Sequence, residues 1–170
     1  MLKVVIFFKQ KTASFCMVLL AGLMVLISQS ASAAAPKITK SFNPVSIAAN
    51  EFVTMAIGFI NPNSQAARFT APFSESLPTG MIILGSASTS CGGKLKAAPG
   101  SSKFTLEGAK IPAYSACHIL VGVTATKAGS FESKTEVSAL QTDRGNNSRS
   151  SDATLIVVKP ELTNLKTNRL

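Results

Sequence analysis

The sequence is poor in the side chains on which most enzymes and many binding proteins depend. Its 170 residues include no tryptophan, one tyrosine, one histidine and eight acidic residues. Acid–base or nucleophilic catalysis needs convergent groups, commonly a histidine oriented by a carboxylate beside a serine or cysteine. A small-ligand or glycan groove usually offers aromatic platforms, and Tyr114 is the one tyrosine. These shortages predict a protein that is not an enzyme, with no catalytic residue and no cofactor.

Positive charge is plentiful but scattered. The chain has 17 lysines and arginines and a net charge of +9. Beyond the N-terminal segment they are spread from Lys37 to Arg169 and form no block. Nucleic-acid binding favours a clustered basic patch with interleaved aromatic residues, so we expect no nucleic-acid partner. Scattered lysines favour solubility and a weak attraction to anionic polymers.

The N-terminus has the three-part plan of a secretory signal peptide. Three lysines come first: Lys3, Lys9 and Lys11. An apolar run follows over residues 13–27 and is shorter than the roughly 20 residues that span a bilayer. Small residues close the segment, and Ala31-Ser32-Ala33 fits the A-x-A cleavage pattern. We therefore expect residues 1–33 to be removed between Ala33 and Ala34; the alternative is an uncleaved membrane anchor.

Cleavage at this position defines the organisation of the mature chain. It leaves 170 − 33 = 137 residues, enough for one domain with its own core. Loss of three lysines takes the net charge from +9 to +6. We expect a β-sandwich domain over residues 34–159 and a polar C-terminal tail over residues 160–170. The product would be exported: periplasmic, secreted or on the cell surface.

The cysteines have three conceivable roles: nucleophile, metal ligand or disulfide. Cleavage removes Cys16 and leaves Cys91 and Cys117. Zinc needs about four Cys, His or carboxylate ligands, whereas the mature chain offers two thiols and His118. We therefore expect no metal site. Two cysteines in an oxidising compartment usually pair, so a Cys91–Cys117 disulfide is predicted, with free buried thiols as the alternative.

Short apolar alternations separated by turn residues fill the mature sequence. In "EFVTMAIGFI" the residues Val53, Met55, Ile57 and Phe59 share one face, and "CHILVGVTAT" places Cys117 on the inward face with Ile119. Other predicted strands are "KITKSF", "ARFTAPF", "MIILG", "KFTLE", "SFESKTEV" and "DATLIVV". About eight strands at this spacing predict an all-β, two-sheet sandwich of the immunoglobulin-like kind.

Three local features have alternative interpretations. His118 flanks the predicted disulfide and has no G-x-S-x-G context, so a structural or surface role is favoured over catalysis. "TDRGNN" contains a single acidic residue, Asp143, and favours a hairpin turn over a calcium loop. The run "MIILG" favours a strand covered on both faces over an exposed adhesive patch.

A set of short motifs carries a family resemblance over nearly all of residues 36–158. They are "SFNPVSI", "NPNS", "LPTG" and the pair "CGG" and "AYSAC". With these motifs the chain resembles the bacterial surface-repeat family catalogued as domain of unknown function number eleven and its close relatives. The resemblance implies an immunoglobulin-like exported module and would link Cys91 to Cys117.

Two functional hypotheses follow. In the first, the chain is an exported, non-catalytic module, structural or adhesive, whose strand edges and loops contact exported or surface proteins and anionic surface polymers at the bacterial envelope. In the second, it is a small-ligand or glycan-binding accessory domain that uses the loops at one end of the sandwich. The shortage of aromatic residues favours the first.

Overall fold

The predicted alternation is realised as twelve short strands and no helix in the residues that the structure describes. The structure, a computed structural model, describes residues 33–160. The strands are β1 (Lys37–Asn43), β2 (Ser46–Ala48), β3 (Val53–Asn61), β4 (Ala67–Arg68), β5 (Phe73–Ser76), β6 (Met81–Thr89), β7 (Lys94–Lys96), β8 (Lys103–Glu107), β9 (Lys110–Ile111), β10 (Ser115–Ala125), β11 (Gly129–Thr135) and β12 (Ser151–Val158).

The strands pair into one four-stranded sheet and three smaller sheets. The four-stranded sheet has the order β1-β3-β10-β6 and is antiparallel throughout. Two three-stranded sheets have the orders β11-β12-β2 and β5-β8-β7, and β4 pairs with β9. The pairing of β12 with β2 is parallel, whereas the other pairings are antiparallel. The fold is an immunoglobulin-like β-sandwich, as the sequence predicted.

One hydrophobic core lies between the layers. On the four-stranded sheet, β3 contributes Val53, Met55, Ile57 and Phe59, each at most 1% exposed. The smaller sheets contribute a second set of buried side chains: Phe73, Phe104, Leu106, Leu155 and Val157. Phe59 meets the rings of Phe69 and Phe73 edge to face, at centroid distances of 5.4 and 4.9 Å. The inward face predicted for β3 is therefore confirmed.

Two strand predictions need correction. "ARFTAPF" is not one strand, because it divides into β4 and β5 around Pro72, which has no backbone N–H to donate to a ladder. "MIILG" is not covered on both faces: Met81 and Ile83 are buried, but Leu84 is 44% exposed. The strand also continues past Gly85, whose φ of 119° accommodates a bulge against β10.

The predicted turn at "TDRGNN" is present within a long connection between β11 and β12. Gly145 N–H donates to the carbonyl of Thr142 at 3.1 Å, which closes the turn. The connection is also anchored by the buried side chain of Asn147, which accepts from Leu140 N–H at 2.8 Å and donates to two backbone carbonyls.

Both predicted termini fall almost wholly outside the described residues. The structure therefore does not test the signal peptide over 1–33 or the polar tail over 160–170. Within residues 33–160, no helix has the length and hydropathy to cross a membrane.

Candidate functional site

The two cysteines of the mature domain form a disulfide. Cys91 follows β6 and Cys117 lies on the inward face of β10, with Cα atoms 5.0 Å apart. They are 2% and 4% exposed. Neither sulfur is a thiol in this structure, so neither acts as a nucleophile or a metal ligand. The bond ties the segment after an edge strand to a central strand.

His118 and Ser90 contact each other through backbone and side-chain atoms. His118 N–H donates to Ser90 Oγ at 3.0 Å, and Ser90 Oγ lies 3.2 Å from His118 Nδ1. Ser90 Oγ thus accepts from the backbone of the same residue whose ring it contacts. His118 carbonyl also accepts from Ser90 N–H and from Thr89 Oγ1, each at 3.0 Å. These contacts hold the end of β6 against β10.

Residues 33–160 contain no group of three His, Cys, Asp or Glu side chains placed to hold a metal ion. The carboxylate of Asp143, the acidic residue of "TDRGNN", accepts from Arg68 N–H at 2.9 Å. Thr142 Oγ1 accepts from Arg144 N–H at 3.1 Å and donates to the carbonyl of Gly145. These oxygen atoms are therefore engaged in holding the turn itself and β4.

The outward face of the four-stranded sheet is built from small and uncharged side chains. Alternation along β1, β3, β10 and β6 turns these residues away from the core. We call this surface the open face, with the central residues Thr39, Thr54, Ala56, Gly58, Ser86, Ser88, His118, Leu120 and Gly122. Among the outward residues of these four described strands, Lys37 near the margin is the one that carries a full charge.

A shallow groove of about 450 Å³ crosses the open face next to the bulge of β6. Its lining residues are Thr54, Gly85, Ser86, Ala87, Ser88, Leu120, Val121 and Gly122. At one side the ring of Phe52, 51% exposed, lies over Gly122. A Cβ atom at position 122 would collide with that ring and with Ser86 Oγ. Glycine at this position therefore leaves the space that the ring of Phe52 occupies.

The opposite layer has a different surface. The outward residues of β11 and β12 include charges of both signs, at Glu132, Lys134 and Asp152. Lys134 Nζ lies 3.0 Å from Glu136 Oε1, and this hydrogen-bonded pair raises the pKa of Lys134 above its ordinary value. The contrast shows that the lack of charge belongs to one layer and not to the whole chain.

One family model covers most of the chain. The model of the domain of unknown function DUF7933 matches residues 36–157. The chain belongs to that family. The resemblance to a domain of unknown function is thus confirmed, whereas the specific assignment to number eleven is not. No curated protein matches the chain.

Solved structures share the fold at low sequence identity. The bacterial hydrophobin BslA is 12% identical, with a TM-score of 0.51, 75% of this chain covered and 97% of that chain. A cohesin module from a family 33 glycoside hydrolase of Clostridium perfringens is 13% identical, with a TM-score of 0.52, 74% of this chain covered and 98% of that chain. Both likenesses support the β-sandwich architecture.

The open face was not predicted from the sequence. Strand edges, loops and scattered lysines were the expected binding surfaces, whereas the open face consists of outward positions on neighbouring strands. A signal was present, because "VTMAIGFI" has Thr54, Ala56 and Gly58 at alternate positions. Their significance depends on β10 lying alongside β3, and this pairing requires the tertiary structure.

Proposed function

We propose that the chain is an exported, non-catalytic β-sandwich module, structural or adhesive, that binds a protein at the bacterial envelope through the open face. The observation that carries the proposal is the lack of charge across this face in a chain of net charge +9. Cores of protein interfaces are depleted in charged residues, because each charge must lose its water when the partner docks.

The shape of the open face supports a protein partner. Small residues leave the strands accessible, and the exposed rings and aliphatic chains of Phe52, Leu84 and Ile60 supply apolar contact area around them. Phe52 and Leu84 are the candidate anchors, since buried apolar side chains dominate most interface energies. Scattered lysines provide a separate and weaker attraction to anionic surface polymers.

The alternative is a small-ligand or glycan-binding accessory domain. The groove beside Phe52 provides a concave surface for it. Among the described residues, its lining has no charged side chain, and Phe52 is the one aromatic ring beside it, so the recognition of a sugar would rest mainly on hydroxyls and backbone groups. We rank this function second for that reason.

A matched pair of variants tests the proposal. Thr54→Glu places a charge in the groove of the open face, and Thr154→Glu places the same charge on the outward face of β12. Purified wild-type and variant chains are used to capture partners from the envelope fraction of the producing cell. The wild type and Thr154→Glu should retain one defined protein at high salt, and Thr54→Glu should lose it.

Folding and salt controls separate the outcomes. Both variants should keep the thermal midpoint of the wild type within a few degrees, which confirms that any loss of binding is local. Binding to an anionic polymer should weaken as salt shortens the Debye length, which is about 10 Å at 0.1 M. Equal loss of the partner in both variants would reject the open face as the binding site. A small molecule that copurifies with the domain and resists salt would favour the alternative.

A further inference from the structure

A buried ion pair connects the two layers of the sandwich away from the open face. Lys40 Nζ lies 2.7 Å from Glu75 Oε1, and the two side chains are 0% and 2% exposed. Lys40 is at an inward position of β1, between Ile38 and Phe42. Glu75 is at an inward position of β5, two residues after the buried Phe73. The amine and the carboxylate therefore meet in the core, out of contact with water.

Two hydroxyl groups from β11 complete the cluster. Ser133 Oγ accepts from Lys40 Nζ at 3.1 Å and donates to Glu75 Oε1 at 3.1 Å. Thr135 Oγ1 donates to the other carboxylate oxygen, Oε2, at 2.7 Å. Each oxygen of Glu75 thus has its own hydroxyl contact, and one hydroxyl bridges the amine and the carboxylate.

Burial reduces the net contribution of this ion pair to the stability of the fold. Removing two charges from water is expensive, and an apolar pair of similar volume is often equally stable or more stable. Desolvation also lowers the pKa of Lys40, against the opposing effect of its hydrogen bond to Glu75. A desolvated lysine has more of the neutral amine, which is the nucleophilic form.

We propose that Lys40 and Glu75 condense within the folded domain to form an intramolecular amide bond between β1 and β5. The geometry that supports this bond is the water-excluded contact of amine and carboxylate, with a hydroxyl bridge between them. The bond would be a second covalent cross-link of the domain, and it would join two layers, whereas the disulfide lies along the four-stranded sheet. It is independent of what the open face binds.

The reaction balances without any further reactant. The ammonium first transfers a proton to Oε1, which leaves a neutral amine and a neutral acid. The Nζ lone pair attacks Cδ, and the carbonyl electrons move to Oε2, where Thr135 donates its hydrogen bond. A second proton passes from Nζ through the Ser133 hydroxyl to Oε1. The Cδ–Oε1 bond breaks, water leaves, and Oε2 becomes the amide oxygen.

Intact mass of the purified, reduced and unfolded chain tests the proposal directly. The wild type should lack the mass of one water relative to the sequence from its measured N-terminus. Proteolytic mapping should find the peptide of Lys40 joined to the peptide of Glu75, with no tryptic cleavage after Lys40. The mapping also excludes water loss at another residue.

Two variants provide controls. Lys40→Met/Glu75→Leu keeps an apolar pair of similar volume in the core and should show the full mass of its sequence. Ser133→Ala keeps the amine and the carboxylate but removes the bridge, so freshly prepared protein should retain a larger unlinked fraction than the wild type. Full mass in the folded wild type after prolonged incubation, with normal cleavage after Lys40, would overturn the proposal even if neither variant folds.

Discussion

At the scale of single residues, the disulfide is the clearest stabilising device in the described domain. The Cys91–Cys117 bond restricts the unfolded chain and is buried in the native state. Replacing both cysteines with alanine should lower the free energy of unfolding by about 2 to 5 kcal/mol. Denaturant unfolding of the two proteins measures the difference. Thiol labelling of the unfolded, unreduced mature chain should find no free cysteine, and labelling of Cys91 or Cys117 there would contradict this assignment.

The two glycines after Cys91 are under different structural constraints. Both have a positive φ, 69° at Gly92 and 76° at Gly93. A Cβ at Gly92 would meet nothing within 4 Å, whereas a Cβ at Gly93 would press on the carbonyl oxygen of Glu107 and lie 2.8 Å from Ala109 N.

This difference predicts unequal effects of the same substitution. Gly92→Ala should cost about 1 to 2 kcal/mol for the left-handed backbone alone. Gly93→Ala should cost about 1 to 3 kcal/mol more, since the backbone must shift. Thermal and denaturant unfolding of the two variants gives the comparison. Equal losses would mean that the loop relaxes freely around position 93.

The buried amine predicts a pH dependence wherever Lys40 is not linked to Glu75. Burial lowers the pKa of Lys40 from its ordinary 10.5 in the folded chain. Between the lowered value and 10.5 the unfolded chain binds more protons, so the free energy of unfolding rises with pH in that window. Compared with Lys40→Met/Glu75→Leu, the unlinked wild type should gain stability as the pH approaches 10.5. An amide-linked sample should show no such gain, and a flat difference in an unlinked sample would contradict the predicted shift.

At the scale of elements, the long connection between β11 and β12 depends on one side chain. Asn147 is 1% exposed and accepts from Leu140 N–H while donating to the carbonyls of Glu136 and Arg149. Leu140 is fully buried beneath it. The connection is therefore an ordered part of the domain despite its length.

Asn147→Ala should destabilise the domain through the buried N–H of Leu140. One unsatisfied buried group costs about 1 to 3 kcal/mol, and two donor contacts are lost as well. The neighbouring Asn146 is exposed, so Asn146→Ala should change the free energy of unfolding by no more than about 0.5 kcal/mol. Hydrogen exchange at Leu140 should accelerate in the first variant alone. Unchanged exchange in Asn147→Ala would show that another group satisfies this N–H.

At the scale of the whole molecule, export is the prediction on which localisation depends. Ala34 N–H donates to Asn63 Oδ1 at 2.8 Å, and Asn63 Nδ2 donates to the carbonyl of Ala34 at the same distance. A mature N-terminus at Ala34 would keep both contacts, since an ammonium also donates.

N-terminal sequencing and intact mass of material from the producing cell should show a chain that begins at or near Ala34. The expected loss is the first 33 residues, give or take about two. Full-length chain recovered from membranes would instead indicate an uncleaved anchor. The measurement also sets the reference mass for the amide test.

Much of the fold was predictable because strand alternation is a local property. The inward residues of β3 and β10 were identified from period-two patterns, and the structure confirms their burial. Errors occurred where the pattern was short or interrupted. "ARFTAPF" contains a proline that interrupts the pairing of the strand. In "MIILG" a run of apolar residues is compatible with a strand buried on one face or on both faces, so the run alone does not distinguish them.

The sequence by itself determined the β class, the core faces and the scarcity of histidine, acidic and aromatic side chains, because these follow from composition and local periodicity. Alternation even places Lys40 and Glu75 at inward positions, beside Phe42 and Phe73. It does not say that they meet. The two residues are 35 positions apart in the sequence and lie on strands of different sheets. The open face likewise depends on β3 and β10 lying side by side. Only the tertiary structure decided these features, because the distance between two residues on different strands is set by sheet pairing and layer packing.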